Sequence, residues 1–128
     1  MMDMNAKRKI KKKQKENTEN IKDVKKTKFI PKWERLNNGE TFITSEKGNS
    51  MTPIIQSGQK HILEPITIDK VEIGDIVYCK VHGLYYTHLV KSIDSKKGLL
   101  IGNNHGGING WTKSVYGKVI KIISNNDR

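Results

Sequence analysis

The sequence predicts an all-β domain, mostly antiparallel and coiled, preceded by a basic tail. Three observations carry this. Short apolar runs recur at intervals of about ten residues, and glycine- and asparagine-rich turns separate them. The runs favour Val, Ile, Tyr and Thr, which suit a pleated surface. No segment from 29 to 128 is long and periodic enough to form a helix-turn-helix.

Residues 29–128 form the expected domain, and the elements follow in order. Phe29-Ile30-Pro31-Lys32-Trp33 begins it, and Pro31 with the Asn37-Asn38-Gly39 turn discourages a long helix there. Residues 41–44 read as a short strand. A helical turn is expected from Thr52, with Pro53 at its first position and Gly58 ending it. Residues 61–64 form a strand that stops at Pro65. Gly74-Asp75 turns into the strand 76–81, His82-Gly83 breaks it as a hairpin would, and 84–93 is its partner. A further turn leads to strand 99–101. Residues 102–110 read as a loop, and 115–123 as the closing strand.

The charge is uneven. Of the net +11, residues 1–28 hold +7, from eleven Lys and Arg against four Asp and Glu. Few apolar residues interrupt this stretch, so it cannot repay the entropy of ordering and reads as a disordered or weakly helical tail. Lys7, Arg8, Lys9, Lys11, Lys12, Lys13 and Lys15 can meet nucleic-acid phosphates and release counterions; the alternative is a solubilising tail. No stretch approaches the ~18–20 apolar residues of a membrane span, and no apolar segment with a cleavage site follows the basic start. A cytoplasmic protein is expected. The single cysteine, Cys79, excludes an internal disulfide and alternates with Val77 and Val81 on one strand face, as a core residue. His61, His82 and His105 lack metal-ligand spacing, so neither metal nor cofactor is expected. Trp33 and Trp111 read as packing anchors. Tyr85 and Tyr86 point to opposite faces, so at most one is core.

Ser50 follows Gly48-Asn49 and precedes Met51-Thr52-Pro53, where its hydroxyl is held exposed and nearby backbone amides can face an oxyanion. Serine alone is a poor nucleophile and needs a base within hydrogen-bond reach. Tyr86-Thr87-His88-Leu89-Val90-Lys91 offers two bases, which a regular strand points to opposite faces. Histidine is mostly neutral at pH 7, whereas lysine must lose about 3 pKa units before it accepts a proton. His88 is therefore the expected base, and Lys91 the fallback. The segment from Gly102 to Trp111 can supply a group that orients the imidazole.

The chain resembles the superfamily of signal peptidase I and the LexA-like self-cleaving repressors. The resemblance rests on an ordered series: Gly48-Asn49-Ser50-Met51-Thr52-Pro53, Gly58, Glu64-Pro65, the segment 71–77, Thr87-His88-Leu89-Val90, Ile101-Gly102-Asn103-Asn104, and Tyr116-Gly117-Lys118-Val119. It covers about residues 40–122. It implies a coiled antiparallel β fold and serine peptidase activity, with Ser50 as nucleophile. Gly48, Asn49, Met51 and Pro53 then support the motif, and His88 takes the base position. That position is lysine in the bacterial enzymes and histidine in the endoplasmic-reticulum type. Asn109 falls where the latter type has an aspartate. Asparagine can orient His88 but cannot stabilise an imidazolium by charge. Gln59, Asn103 and Leu89 also depart from the family pattern and mark a diverged branch.

No membrane anchor is visible ahead of the motif, and a DNA-binding domain is not expected there. Self-cleavage at Ala-Gly or Cys-Gly has no site, because Ala6 and Cys79 both precede lysine. The expectation is a stand-alone peptidase-like domain, of phage or mobile-element origin, acting on a peptide or protein. The alternative is an inactive module of the same fold that binds an extended peptide along a sheet edge while the tail contacts nucleic acid.

Overall fold

A computed structural model describes residues 29–124. The tail, with Lys7 to Lys15, lies outside the described residues. From Pro31 onward the described chain forms one compact unit.

Seven strands make one antiparallel sheet in the order β1-β2-β7-β3-β4-β5-β6. They are β1 (Phe42–Thr44), β2 (His61–Pro65), β3 (Ile76–Val81), β4 (Leu84–Asp94), β5 (Gly98–Gly102), β6 (Ile108–Thr112) and β7 (Ser114–Ile122). Among the described residues one α-helix, α1 (Lys32–Asn37), precedes β1, and a 3-10 turn spans Ile68–Lys70. The short α1 ends where the sequence demands it. Gly39 takes φ 88°, and the Glu40 N–H reaches back to the Arg35 carbonyl, closing the helix end.

Strand β3 lies between β7 and β4, so both of its edges are hydrogen-bonded. Val77, Cys79 and Val81 point to one side and pack with Val71, Val90, Leu99 and Ile101. Tyr78 points to the other side and joins Leu36, Phe42 and Leu63. This is the period-2 alternation of a pleated strand read on two cores. Cys79 is fully buried, and burial pushes its thiol pKa up to about 12. Tyr86 packs on the first core, whereas Tyr85, on the opposite face, stacks on Tyr78 at 5.7 Å. Trp33 packs on the second core, and Trp111 is half-buried under the Lys97 ammonium, 4.9 Å from the ring centre.

The β3–β4 hairpin turns on His82 and Gly83, with φ of 50° and 84°. Positive φ at both central residues is the two-residue turn whose twist matches antiparallel strands. Beyond β5 the sheet curls back on itself: the Thr112 hydroxyl on β6 donates to the Lys80 carbonyl on β3.

Two expectations need correction. Residues 52–58 form turns, not a helical turn begun by Pro53, and the Thr52–Pro53 peptide is cis. The Ile55 N–H does bond the Met51 carbonyl, but the donors that would extend a helix go elsewhere: Gln56 N–H to the Gln59 side chain and Gly58 N–H to the Glu46 carbonyl. The segment 102–110 is not all loop, because Ile108–Thr112 is strand β6. Asn109 and Gly110 have low strand propensity, and pairing with β5 overrides it.

Candidate active site

Ser50 sits on the loop between β1 and β2. Hydrogen bonds within the loop and from a second loop hold it. The Thr52 hydroxyl and N–H both turn back to the Asn49 carbonyl. The Gly48 N–H donates to Ser57 Oγ, with Gly48 at φ 121°, a backbone that disfavours a side chain. Met51 and Ile55 are buried beneath. From across the molecule, the Asn104 N–H donates to the Ser50 carbonyl at 2.9 Å, and its side-chain amide to the Thr52 carbonyl at 2.9 Å. His105 Nε2–H donates to the Asn49 carbonyl at 2.9 Å, with Thr52 Oγ1 at 3.0 Å. Asn103 organises this second loop by accepting the His105 and Gly107 N–H groups at 2.8 Å. Here the side chain of Asn103 does an acceptor's work without a charge.

The Ser50 hydroxyl lies 3.0 Å from His88 Nε2. His88 Nδ1 lies 2.7 Å from the Asn109 amide oxygen. That oxygen can only accept, so Nδ1 carries the ring proton and Nε2 presents a lone pair to the serine. Strand β4 aims His88, which pairs with Val77 on β3 and is buried to 7% exposure. The Tyr86 ring stands 4.9 Å away and walls the imidazole.

Asn109 reaches His88 because of a register shift. Ile101 pairs with Gly110 and Gly102 with Ile108, which leaves Asn109 as the extra residue of β6. A bulge re-aims a side chain that regular alternation would point elsewhere. Strand β5 also ends at Gly102, opposite Leu89, so the level of His88 lies beyond its last residue. Lys91 is itself an extra residue, between Val90 and Ser92, and its Cε lies against Gly102. No hydrogen bond joins Lys91 to Ser50 among the described residues. Of the two candidate bases, His88 is the one that hydrogen-bonds Ser50 among the described residues. No acceptor among the described residues takes the Ser50 N–H, which leaves it free to face an oxyanion.

A second polar group adjoins the serine, and the sequence reading missed it. Glu46 Oε2 accepts from the Lys32 ammonium at 2.9 Å and from the Thr87 hydroxyl at 2.7 Å. Burial raises the Glu46 carboxyl pKa, but the Lys32 and Thr87 hydrogen bonds and the Lys32 charge outweigh it, holding the net value below the ordinary one. His61, next to this cluster, is buried to 1% exposure. Its phase with Leu63 along β2 was the available signal for burial. Lys32 and Glu46 carried no local signal, because their pairing spans fourteen positions. Among the described residues no three His, Cys, Asp or Glu side chains gather as a metal-binding group. No helix there is long and apolar enough to cross a membrane.

Comparison with family models, with curated proteins and with solved structures finds no match to this chain.

Proposed function

We propose that this protein is a serine hydrolase that cleaves a peptide bond, a diverged member of the signal peptidase and LexA-like superfamily. The observation that carries the reading is the chain Ser50 Oγ to His88 Nε2 to Asn109, at 3.0 and 2.7 Å, on a buried imidazole. Both distances lie within the range a general base requires.

In this reading Ser50 Oγ attacks the peptide carbonyl carbon as its proton passes to His88 Nε2. The carbonyl π electrons move to oxygen, and the Ser50 N–H donates to that oxyanion. His88 returns the proton to the leaving amine as the C–N bond breaks, which leaves an acyl-serine. Water attacks the ester by the same route in reverse roles, with His88 again taking and returning a proton. Asn109 fixes the Nδ1–H tautomer and the ring plane. Being neutral, it does not offset the imidazolium charge, so the expected turnover is slow.

The test is covalent labelling of Ser50 by a fluorophosphonate probe between pH 6 and 9, located by mass spectrometry of the peptide containing Ser50. Labelling of the native chain, lost in Ser50→Ala and in His88→Ala, supports the reading. No labelling across that range overturns it and leaves the peptide-binding module.

A further inference from the structure

The Ser50 N–H, the donor for the oxyanion, is one half of a peptide unit whose other half is the Asn49 carbonyl. A peptide is planar, and in its trans form the N–H and C=O point to opposite edges. The Asn49–Ser50 peptide is trans, since among the described residues the cis bond is Thr52–Pro53. Whatever holds the Asn49 oxygen therefore sets the direction of the Ser50 N–H. A half-turn of this plane would put the carbonyl oxygen where the N–H stands. An oxyanion would then meet a partial negative charge instead of a donor.

Three donors hold that oxygen. Two belong to Thr52, whose hydroxyl lies at 2.9 Å and N–H at 3.3 Å. Both sit in the same turn as Ser50 and move with it. The third is His105 Nε2–H at 2.9 Å, and it comes from the loop between β5 and β6. A carbonyl only accepts, so Nε2 carries a proton. The Thr52 hydroxyl, which donates its own proton to Asn49, presents a lone pair to the same Nε2–H at 3.0 Å. His105 is itself placed. Its N–H donates to Asn103 Oδ1 at 2.8 Å, and Gly106 follows at φ 88°, a left-handed turn that suits glycine. The neighbouring Asn104 N–H donates to the Ser50 carbonyl at 2.9 Å. The carbonyls before and after the Ser50 Cα are thus tied to one loop, and the Ser50 N–H lies on the edge of its peptide away from His105. The imidazole itself is exposed and forms no hydrogen bond with Ser50 Oγ or His88 among the described residues.

We infer that His105 is a positioning residue for the oxyanion donor: its Nε2–H anchors the Asn49 carbonyl from the opposite loop and so keeps the Ser50 N–H aimed where the oxyanion forms. The inference rests on the hydrolase reading and adds to it a residue that acts through the backbone rather than through the proton-transfer chain.

The experiment uses the full chain and the fluorophosphonate probe. Ser50 Oγ bonds to phosphorus, its proton passes to His88, the phosphoryl oxygen gains negative charge, and fluoride leaves. His105→Leu removes the donor and keeps comparable bulk. His105→Gln keeps an N–H at the reach of Nε2. At a fixed pH the second-order rate of labelling should fall about 10-fold in His105→Leu and stay within about 2-fold of the native rate in His105→Gln. That loss is smaller than the ~100-fold or more expected when an oxyanion donor is removed outright. A spectrum separates aiming of the amide from mere support of the loop. In the 15N-labelled native chain the Ser50 amide proton should move downfield as the adduct forms, because the N–H then donates to the phosphoryl oxygen. The displacement should shrink in His105→Leu and be kept in His105→Gln. Should His105→Leu not fold, the tautomer in the native chain decides: long-range 1H–15N spectra should place a ring proton on His105 Nε2, and a ring protonated on Nδ1 alone overturns the assignment. It is equally overturned by a native rate in His105→Leu, by a His105→Gln as slow as His105→Leu, or by an amide displacement that His105→Leu leaves unchanged, each with native Ser50 labelled. Failure of the probe to label the native chain overturns the hydrolase reading and this inference together.

Discussion

His61 and His88 are both buried histidines beside the same serine loop, yet their surroundings differ. His88 has both ring nitrogens engaged, one by Ser50 and one by Asn109. His61 has one long contact to a backbone carbonyl and one bare nitrogen. A ring held at both ends has a fixed tautomer and orientation, which suits proton transfer. A ring with a bare, buried acceptor leaves hydrogen-bonding capacity unspent, which costs stability. Both come from strands facing the core, so burial alone does not tell the two apart; their partners do.

The largest effect expected is on the His88 side. Ser50→Ala and His88→Ala should each lower the rate of peptide-bond cleavage by at least ~10⁴-fold, the scale seen when a triad member is removed. Circular dichroism should be unchanged. A residual rate above 1% for His88→Ala would break the contrast by showing that another group accepts the proton.

Next comes the neutral orienter. Asn109→Asp keeps an acceptor at the distance His88 Nδ1 needs and adds the missing charge, so kcat should rise about 10- to 100-fold. Asn109→Ala should lower it by about 10-fold or more. A fall on adding the carboxylate would show that the bulge on β6 does not aim the side chain at the imidazole during turnover.

The His61 side is read in stability against pH. Burial holds its folded pKa below the ordinary 6.5, so between the two values the unfolded chain binds more protons. Stability from this group is complete above about pH 6.5 and is lost as pH falls toward the folded value. The Tm should drop by a few degrees between pH 7 and 5, and the slope should flatten in His61→Phe. Glu46 also has a lowered pKa, but its loss falls below its ordinary 4.5, outside that window. An unchanged slope in His61→Phe would remove His61 as its source.

The smallest effect concerns the Lys32–Glu46 pair, whose side chains are 25% and 35% exposed. Such a pair is largely screened, so Lys32→Met should cost less than about 1 kcal/mol in denaturant unfolding. A larger loss would mean that the carboxylate is more sealed from water than its exposure indicates.

Much of this site was legible in the chain. Ser50 is marked by its glycine-preceded motif, and His88 by chemistry, since a neutral imidazole accepts a proton at pH 7 more readily than Lys91. The strands around them follow from β-branched runs and turn glycines. The strand Ile108–Thr112 was hidden, because its asparagine and glycine speak against a strand and only the β5 edge recruits it. The neighbourhood of His61 was hidden for a related reason. Its alternation with Leu63 signals an inward face, but nothing in the local text says that Glu46, Thr87 and Lys32 gather around that face.

The sequence by itself therefore determined most of the strands and the hairpin at His82-Gly83, and it proposed Ser50 with His88 rather than Lys91, because these depend on side-chain chemistry and short-range periodicity. Only the tertiary structure decided that Asn109 turns onto His88, that Lys91 falls in a register shift of β4, and that His61 Nε2 is buried with no partner among the described residues. Register shifts and long-range packing set those outcomes. A single unpaired residue in a sheet redirects a side chain, and no local pattern encodes where it falls.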